Sequence, residues 1–454
     1  MLHYSQYVIM NTDIFSWKYN RFLMAFVLIT MVTIHNSHCF GQLSASRIFS
    51  DHMILQRGKT LKIWGWSIPG DEVHVRFEKQ SKKTITDSTG SWHVYLDPLV
   101  ENDRPQVLDI QGQRNHITIK DVLIGDLWLL GGQSNMEMDL DRIYHGDLEV
   151  ASANFNKIRL MTIPKNTGVS PSTNFISINE YDDWLGRFDQ KGDWFVCSPA
   201  TVQTFSGIGY IFGRRLHMAS GVPIGLIDAS LGGTTIEAWL SPKALQEHPE
   251  NKSLLAIWKR KADEFNPEVN LAKKIDNWQI RSKERMAQGL EPLPKPVKPD
   301  EAPNLNRNYP GACYNGMINP LTGLSIKGII FHQGYNNALS SDARPALYEK
   351  NMCALIDAWR NTFHDDALPF GIIELSAGGS PQSLDNLEIQ MTDAAPFIRE
   401  AQFKAYRQMK QVGLPAPMIS RKTGSIPEKR WNQQSAWHDG LLINTTRSRW
   451  DGSL

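Results

Sequence analysis

The sequence predicts an α/β protein: a parallel sheet with flanking helices, preceded by a small all-β sandwich domain. Three observations predict it. Residues 43–120 carry short alternating runs broken by turn signals. From residue 122 onward, near-continuous apolar runs recur, of the kind that forms strands buried on both faces. Helical patterns fill the intervals, and strands alternating with helices build a parallel sheet covered on both sides.

The chain has 454 residues, 41% of them hydrophobic, enough for one large core and a smaller domain. Its 48 Lys and Arg nearly balance its 47 Asp and Glu. The resulting net charge of +1 gives no basic footprint for nucleic acid. Residues 1–41 read as a signal segment. Lys18 and Arg21 precede an apolar run from Phe22 to Ile34, about 13 residues long, the length of a signal h-region and short for a membrane span. Cys39-Phe40-Gly41 places small residues at positions −3 and −1 of a cut before Gln42. Export to the periplasm or the cell exterior is expected, without stable membrane insertion after cleavage. A buried N-terminal helix is the alternative. Cys197, Cys313 and Cys353 then remain. Their spacing fits no metal site; they read as small buried apolar residues, with at most one disulfide and a leftover thiol as the alternative.

Residues 42–120 form the expected β domain. Leu61-Lys62-Ile63-Trp64-Gly65 and Val73-His74-Val75-Arg76-Phe77 alternate, and Pro69-Gly70-Asp71 and Ser88-Thr89-Gly90 mark turns. Residues 121–412 form the α/β domain. Its expected strands are 122–130, 222–230, 326–332 and 369–375, with helices over 209–218 and 347–363. Residues 241–308 interrupt this rhythm with Lys, Glu and Pro, and read as a helical insertion ending in an extended linker. Residues 413–454 show little apolar periodicity and read as an aberrant tail.

In open α/β sheets, ligands bind beyond the carboxyl ends of the strands. Three of those ends carry unusual chemistry. The first is Gly131-Gly132-Gln133-Ser134-Asn135-Met136-Glu137, with a serine at the tip of a glycine turn. The second is Ser230-Leu231-Gly232-Gly233-Thr234-Thr235-Ile236-Glu237. The third is His332-Gln333-Gly334-Tyr335-Asn336-Asn337, rich in amide side chains. A glycine pair alone is a turn, and an Asn after a strand alone is a cap. Together they supply a nucleophile and preorganised donors, which acyl transfer requires.

These blocks resemble the SGNH-hydrolase superfamily in its sialate O-acetylesterase branch. Gly132 to Met136 match its G-Q-S-N-M block, and Gly232 to Trp239 match its G-G-T-x-I-E-A-W context. Gln333 to Asn337 match Q-G-E-x-N, except that Tyr335 replaces the Glu. Met53 to Arg57, Ile63 to Trp66 and Phe397 to Gln402 extend the resemblance over roughly residues 43–412. It implies a serine esterase that removes acetyl groups from sugars, without metal or cofactor. Ser134 would be the nucleophile. Its N–H, the N–H of Gly232 and the side-chain amide of Asn337 would hold the oxyanion. Gln133, Asn135, Gln333 and Tyr335 would line or brace the substrate site. His332 reads as structural rather than as a base, and a glycosidase built on Glu237 lacks a visible second carboxylate.

The resemblance also implies a base from a C-terminal D-x-x-H-P segment. No such segment follows residue 412, where the one histidine is His438. The tail reads either as divergent or as frameshifted. Read one nucleotide out of register, codons compatible with Ser425 to Trp437 can encode His-Pro-Arg-Lys-Lys-Met-Glu-Ser-Ala-Lys-Arg-Met-Ala. The expectation is an esterase crippled by loss of its catalytic His. The alternative is a non-catalytic, exported carbohydrate-binding or interaction protein.

Overall fold

Alternation in the N-terminal region folds as strands in two sheets. The strands are β1 (Ser44–Ala45), β2 (Ile54–Gln56), β3 (Leu61–Trp66), β4 (Glu72–Phe77), β5 (Gln80–Ile85), β6 (Ser91–Leu96), β7 (Asn102–Gln111) and β8 (His116–Gly132). In β4, Val73, Val75 and Phe77 are buried while His74 and Arg76 face outward, as a period of two requires. One sheet has the order β1-β3-β6; in the other, β4 lies between β5 and β7, and β7 joins β8. A computed structural model describes residues 42–175, 192–339, 345–375 and 395–414. Residues 1–41, expected to be a signal segment, and the tail beyond Leu414, with His438, lie outside the described residues.

β8 carries the N-terminal region into the second half of the fold. Its first part pairs with β7, and its last residues pair with the parallel strands of the main sheet. The boundary expected between residues 120 and 121 therefore falls inside one 17-residue strand.

After β8 come α1 (Ser134–Glu137), α2 (Gly146–Ala151), β9 (Phe155–Thr162), β10 (Trp194–Cys197), α3 (Pro199–Val202), α4 (Gly207–Ser220) and β11 (Ile224–Ser230). Helices α5 (Pro242–Glu247), α6 (Lys252–Asp263) and α7 (Pro267–Ala287) occupy the inserted region, and residues 290–302 form neither helix nor strand. Then follow β12 (Gly328–His332), α8 (Tyr335–Leu339), α9 (Pro345–Phe363), β13 (Phe370–Ile372), α10 (Ala395–Gln408) and β14 (Val412–Gly413). The main sheet runs β10-β9-β11-β8-β12-β13-β14, parallel throughout except for β10 at its edge.

Period two also divides the core. Trp128 and Leu130 of β8 pack with Tyr210, Ile211 and Phe212 of α4 on one face. Leu127 and Leu129 join Leu355 and Trp359 of α9 on the other. Both faces are thus covered, which is why these strands read as continuous apolar runs. Trp359 meets Phe331, Phe370 and Trp239 through ring contacts, and its indole N–H donates to Trp239 O.

Strand β9 did not emerge from the sequence, because Lys157 and Arg159 interrupt its apolar pattern. Arg159 is nonetheless buried, and its guanidinium binds the Asp121 carboxylate at 2.5 and 3.2 Å. Cys197 and Cys313 are buried free thiols and Cys353 is a half-buried one, with burial pushing Cys197 up to about 12 and Cys353 up to about 11. No described helix is long and apolar enough to cross a membrane.

Candidate active site

β11, β8 and β12 are neighbours in the sheet, so the turns after their carboxyl ends converge. The first turn depends on Gly132. Its φ is +128°, and a Cβ there would stand 2.2 Å from His332 O. Only a glycine lets the chain leave β8 this close to β12. Gln133 N–H then donates to His332 O, and Ser134 opens α1 in a half-buried position. Among the described residues, the Ser134 hydroxyl has no hydrogen-bond partner.

Gln133 stitches the first turn to the third. Its Oε1 accepts from Gln333 Nε2 at 3.1 Å, Gly334 N at 3.1 Å and Asn336 N at 3.3 Å. Its Nε2 donates to Asn336 Oδ1 at 2.9 Å. Gln333 Nε2 also reaches Thr234 O and Asn337 Oδ1, which adds the second turn to the network. Both glutamines are buried, so they brace the site from behind. Gln333 O accepts from Tyr348 OH and Gln402 Nε2, which anchors the third turn to α9 and α10. Burial pushes the Tyr348 phenol up, which keeps it a neutral donor.

His332 is engaged at both ring nitrogens. Nδ1 lies 3.1 Å from Ile373 O, which can only accept, so the proton sits on Nδ1. Nε2 lies 3.1 Å from Asn135 Nδ2 and accepts from it. Asn135 therefore braces a buried histidine beside the serine turn.

Two of the expected oxyanion donors are occupied in this structure. Gly232 N–H donates to Glu137 Oε2 at 2.5 Å. Asn337 Nδ2 donates to Glu237 at 3.1 and 3.3 Å, while its Oδ1 accepts from Ile236 N. A carboxylate thus lies at each of these two donors, and the Asn337 amide nitrogen carries two hydrogens. The expected Ser134 N–H begins a helix and has no intrahelical acceptor. Tyr335 is 49% exposed at the start of α8, where it can form surface but no buried bond.

Sequence reasoning missed several members. Lys165, after β9, donates to Glu137 Oε1 at 2.6 Å and to Ser230 O at 2.7 Å. Nothing local marks it, because it lies in a loop far from the three blocks. Asn336, beside Asn337, is the half-buried member of the pair and donates to Gly233 O. Arg307 and Asn308, at the end of the insertion, donate to Gly232 O and Gly233 O. Among the described residues, no group of three or more His, Cys, Asp or Glu side chains could hold a metal ion.

No protein-family model matches the chain. Curated relatives do. The chain is 26% identical over 382 residues to a sialate O-acetylesterase of Pongo abelii, across 80% of this chain and 63% of that protein. It is 28% identical over 372 residues to one from Mus musculus, across 77% of this chain and 63% of that protein. The chain thus spans less than two thirds of the length of these relatives. Among solved structures, a carbohydrate acetylesterase from Xanthomonas citri superposes with a TM-score of 0.65 and 26% identity, over 88% of this chain and 74% of that one. Shared sequence over most of the chain, on a shared α/β architecture, makes this chain similar to the sialate O-acetylesterases and to that carbohydrate acetylesterase.

Proposed function

We propose that the protein is an exported carbohydrate O-acetylesterase acting through an acetyl-Ser134 intermediate. The observation that carries this reading is the Ser134 hydroxyl. It stands half-buried at a strand-end turn where three loops converge, and no described side chain binds it. Ser134 Oγ attacks the acetyl carbonyl carbon and gives its proton to a base. The sugar alkoxide leaves and takes that proton. Water then attacks the acyl-serine, releasing acetate and regenerating Ser134. The substrates of the relatives named above make an O-acetylated sugar the natural ester. Export rests on the pattern of residues 1–41 alone.

The base is not His332, whose nitrogens are both engaged. The family pattern calls for a histidine after β14, and residues 414–454 spell no D-x-x-H-P. We therefore propose that the chain as written turns over slowly. The engagement of Gly232 N–H and Asn337 Nδ2 by carboxylates favours a second reading, a carbohydrate-binding protein without catalysis.

Hydrolysis of p-nitrophenyl acetate separates the two. The comparison is among this chain, Ser134→Ala, and a chain whose tail is read in the shifted frame. Activity that rises by on the order of a thousandfold in the shifted-frame chain, and disappears in Ser134→Ala, supports the esterase. Activity at the Ser134→Ala background in both chains, with O-acetylated sugar still bound, supports the second reading.

A further inference from the structure

Glu137 and Lys165 form an ion pair with no solvent exposure on either side chain. Burying two charges is expensive, and such a pair is often less stabilising than apolar residues of the same volume. Stability therefore does not explain it. Its connections do. Glu137 belongs to α1, one turn after the nucleophile position. Lys165 follows β9. Ser230 O, which accepts from Lys165, ends β11, and Gly232 N–H, which donates to Glu137, begins the second glycine turn. β9, β11 and β8 are consecutive in the sheet. One carboxylate and one ammonium thus tie together the carboxyl ends of three adjacent strands.

Each bond in the set is charge-assisted, the class that is shortest and most directional. The Lys165–Glu137, Lys165–Ser230 and Gly232–Glu137 distances are 2.6, 2.7 and 2.5 Å. The Lys165 ammonium balances the Glu137 charge, so the Gly232 amide sees an anionic acceptor rather than a neutral one.

We infer that the Glu137–Lys165 pair clamps the second glycine turn in register with Ser134, making both residues positioning residues of the site. The inference rests on the esterase reading for its kinetic consequence. It goes beyond that reading, because neither residue touches the ester. A misplacement of about 1 Å is enough to cost on the order of a hundredfold in rate. The clamp therefore acts on turnover more than on binding.

The test replaces the pair with apolar residues of similar size, Glu137→Leu with Lys165→Met, in the full chain. Three quantities are read: kcat and KM for p-nitrophenyl acetate against the Ser134→Ala background, the melting temperature, and the proton shift of the Gly232 amide. That amide is assigned by its loss from the spectrum of protein labelled with 15N-glycine when Gly232 is replaced by Ala. The expected result is a folded protein whose Gly232 proton moves upfield and whose kcat falls by on the order of a hundredfold with KM little changed. A folded double variant with wild-type kcat overturns the positioning role, whatever the amide does. A fall in kcat with an unmoved Gly232 proton overturns the clamp. If the double variant does not fold, Glu137→Gln with Lys165→Met keeps the shape and an acceptor. It is expected to show a smaller change of the same sign in both readouts, and no change in either overturns the clamp. Turnover at the Ser134→Ala background in both this chain and the shifted-frame chain refutes the esterase reading instead. The Gly232 proton then decides the clamp alone.

Discussion

Gln133 accepts three hydrogen bonds through one carbonyl oxygen and donates one through its amide. Its neighbour Ser134 is the proposed nucleophile, and Gln133 ties the third strand end to that serine turn. Truncation to Ala would strand the Gly334 and Asn336 N–H groups and the Asn336 carbonyl, while the Gln333 amide keeps Thr234 O and Asn337 Oδ1 as acceptors. A buried donor left unpaired costs about 1–3 kcal/mol, and some of these groups would recover water. Gln133→Ala should therefore lower stability by about 3 kcal/mol, measured by urea unfolding. It should also reduce p-nitrophenyl acetate turnover as strongly as it reduces stability. Gln133→Glu is a sharper variant. A carboxylate still accepts from the three donors but cannot donate to Asn336 Oδ1. A stability loss smaller than that of Gln133→Ala is expected, and an equal loss would mean that the three accepted bonds carry little.

β9 shows how an element can hide from its own sequence. Arg159 sits inside the sheet because Asp121 meets it, and Asp121 also binds His52 Nδ1 at 2.7 Å. Burial works to raise the Asp121 carboxyl, but the hydrogen bonds from Arg159 and His52 outweigh it and hold it below the usual carboxylate range. A carboxylate with a lower folded than unfolded pKa contributes stability that is complete above about pH 4 and is lost as pH falls toward the depressed value. Asp121→Asn should therefore destabilise the protein by about 2 kcal/mol at neutral pH, with the difference from wild type shrinking below about pH 4. Urea midpoints at pH 7 and pH 3.5, about half a unit below the unfolded carboxyl, check this, and a difference independent of pH would refute it. The same element marks the limit of legibility. β8, β11 and β12 were readable because both faces are apolar. The serine and glycine turns were readable because they sit at those strand ends in an ordered set. β9 was not, since its charge is cancelled by a residue 38 positions away. Lys165 escaped for the same reason, because its partner Glu137 is distant in sequence. The occupancy of Gly232 and Asn337 escaped too, since a motif records which donors exist and not which acceptors have reached them first.

At the scale of the molecule, β8 makes two regions into one. It pairs with β7 and β2 in its first part and with β11 and β12 in its last, with no linker between. Side chains repeat the connection. Lys59 binds Asp365 at 2.5 Å and Ile326 O at 2.8 Å, Arg57 binds Asp126 at 2.9 Å, and Trp194 Nε1 donates to Ile48 O at 2.8 Å. The core is continuous as well, since Val73, Phe77 and Trp92 belong to the same buried cluster as Ile329 and Trp359. A domain that folds alone has its own core and a boundary crossed by few contacts, and neither condition holds at residue 120. The N-terminal β region should therefore not unfold before the main sheet. Substitution of Val75 by Ala, far along the chain from the serine turn, removes a fully buried side chain of β4. It should lower the urea midpoint by an amount equivalent to about 2 kcal/mol. The whole transition should shift, including the part reported by a thiol-reactive probe of Cys313 in the main core. If the two regions were independent, the tryptophan and Cys313 signals would separate in Val75→Ala, with the thiol still protected after the β region had melted. Coincident curves in wild type and variant establish a single cooperative unit, in which a lesion in the N-terminal strands reaches the serine turn through β8.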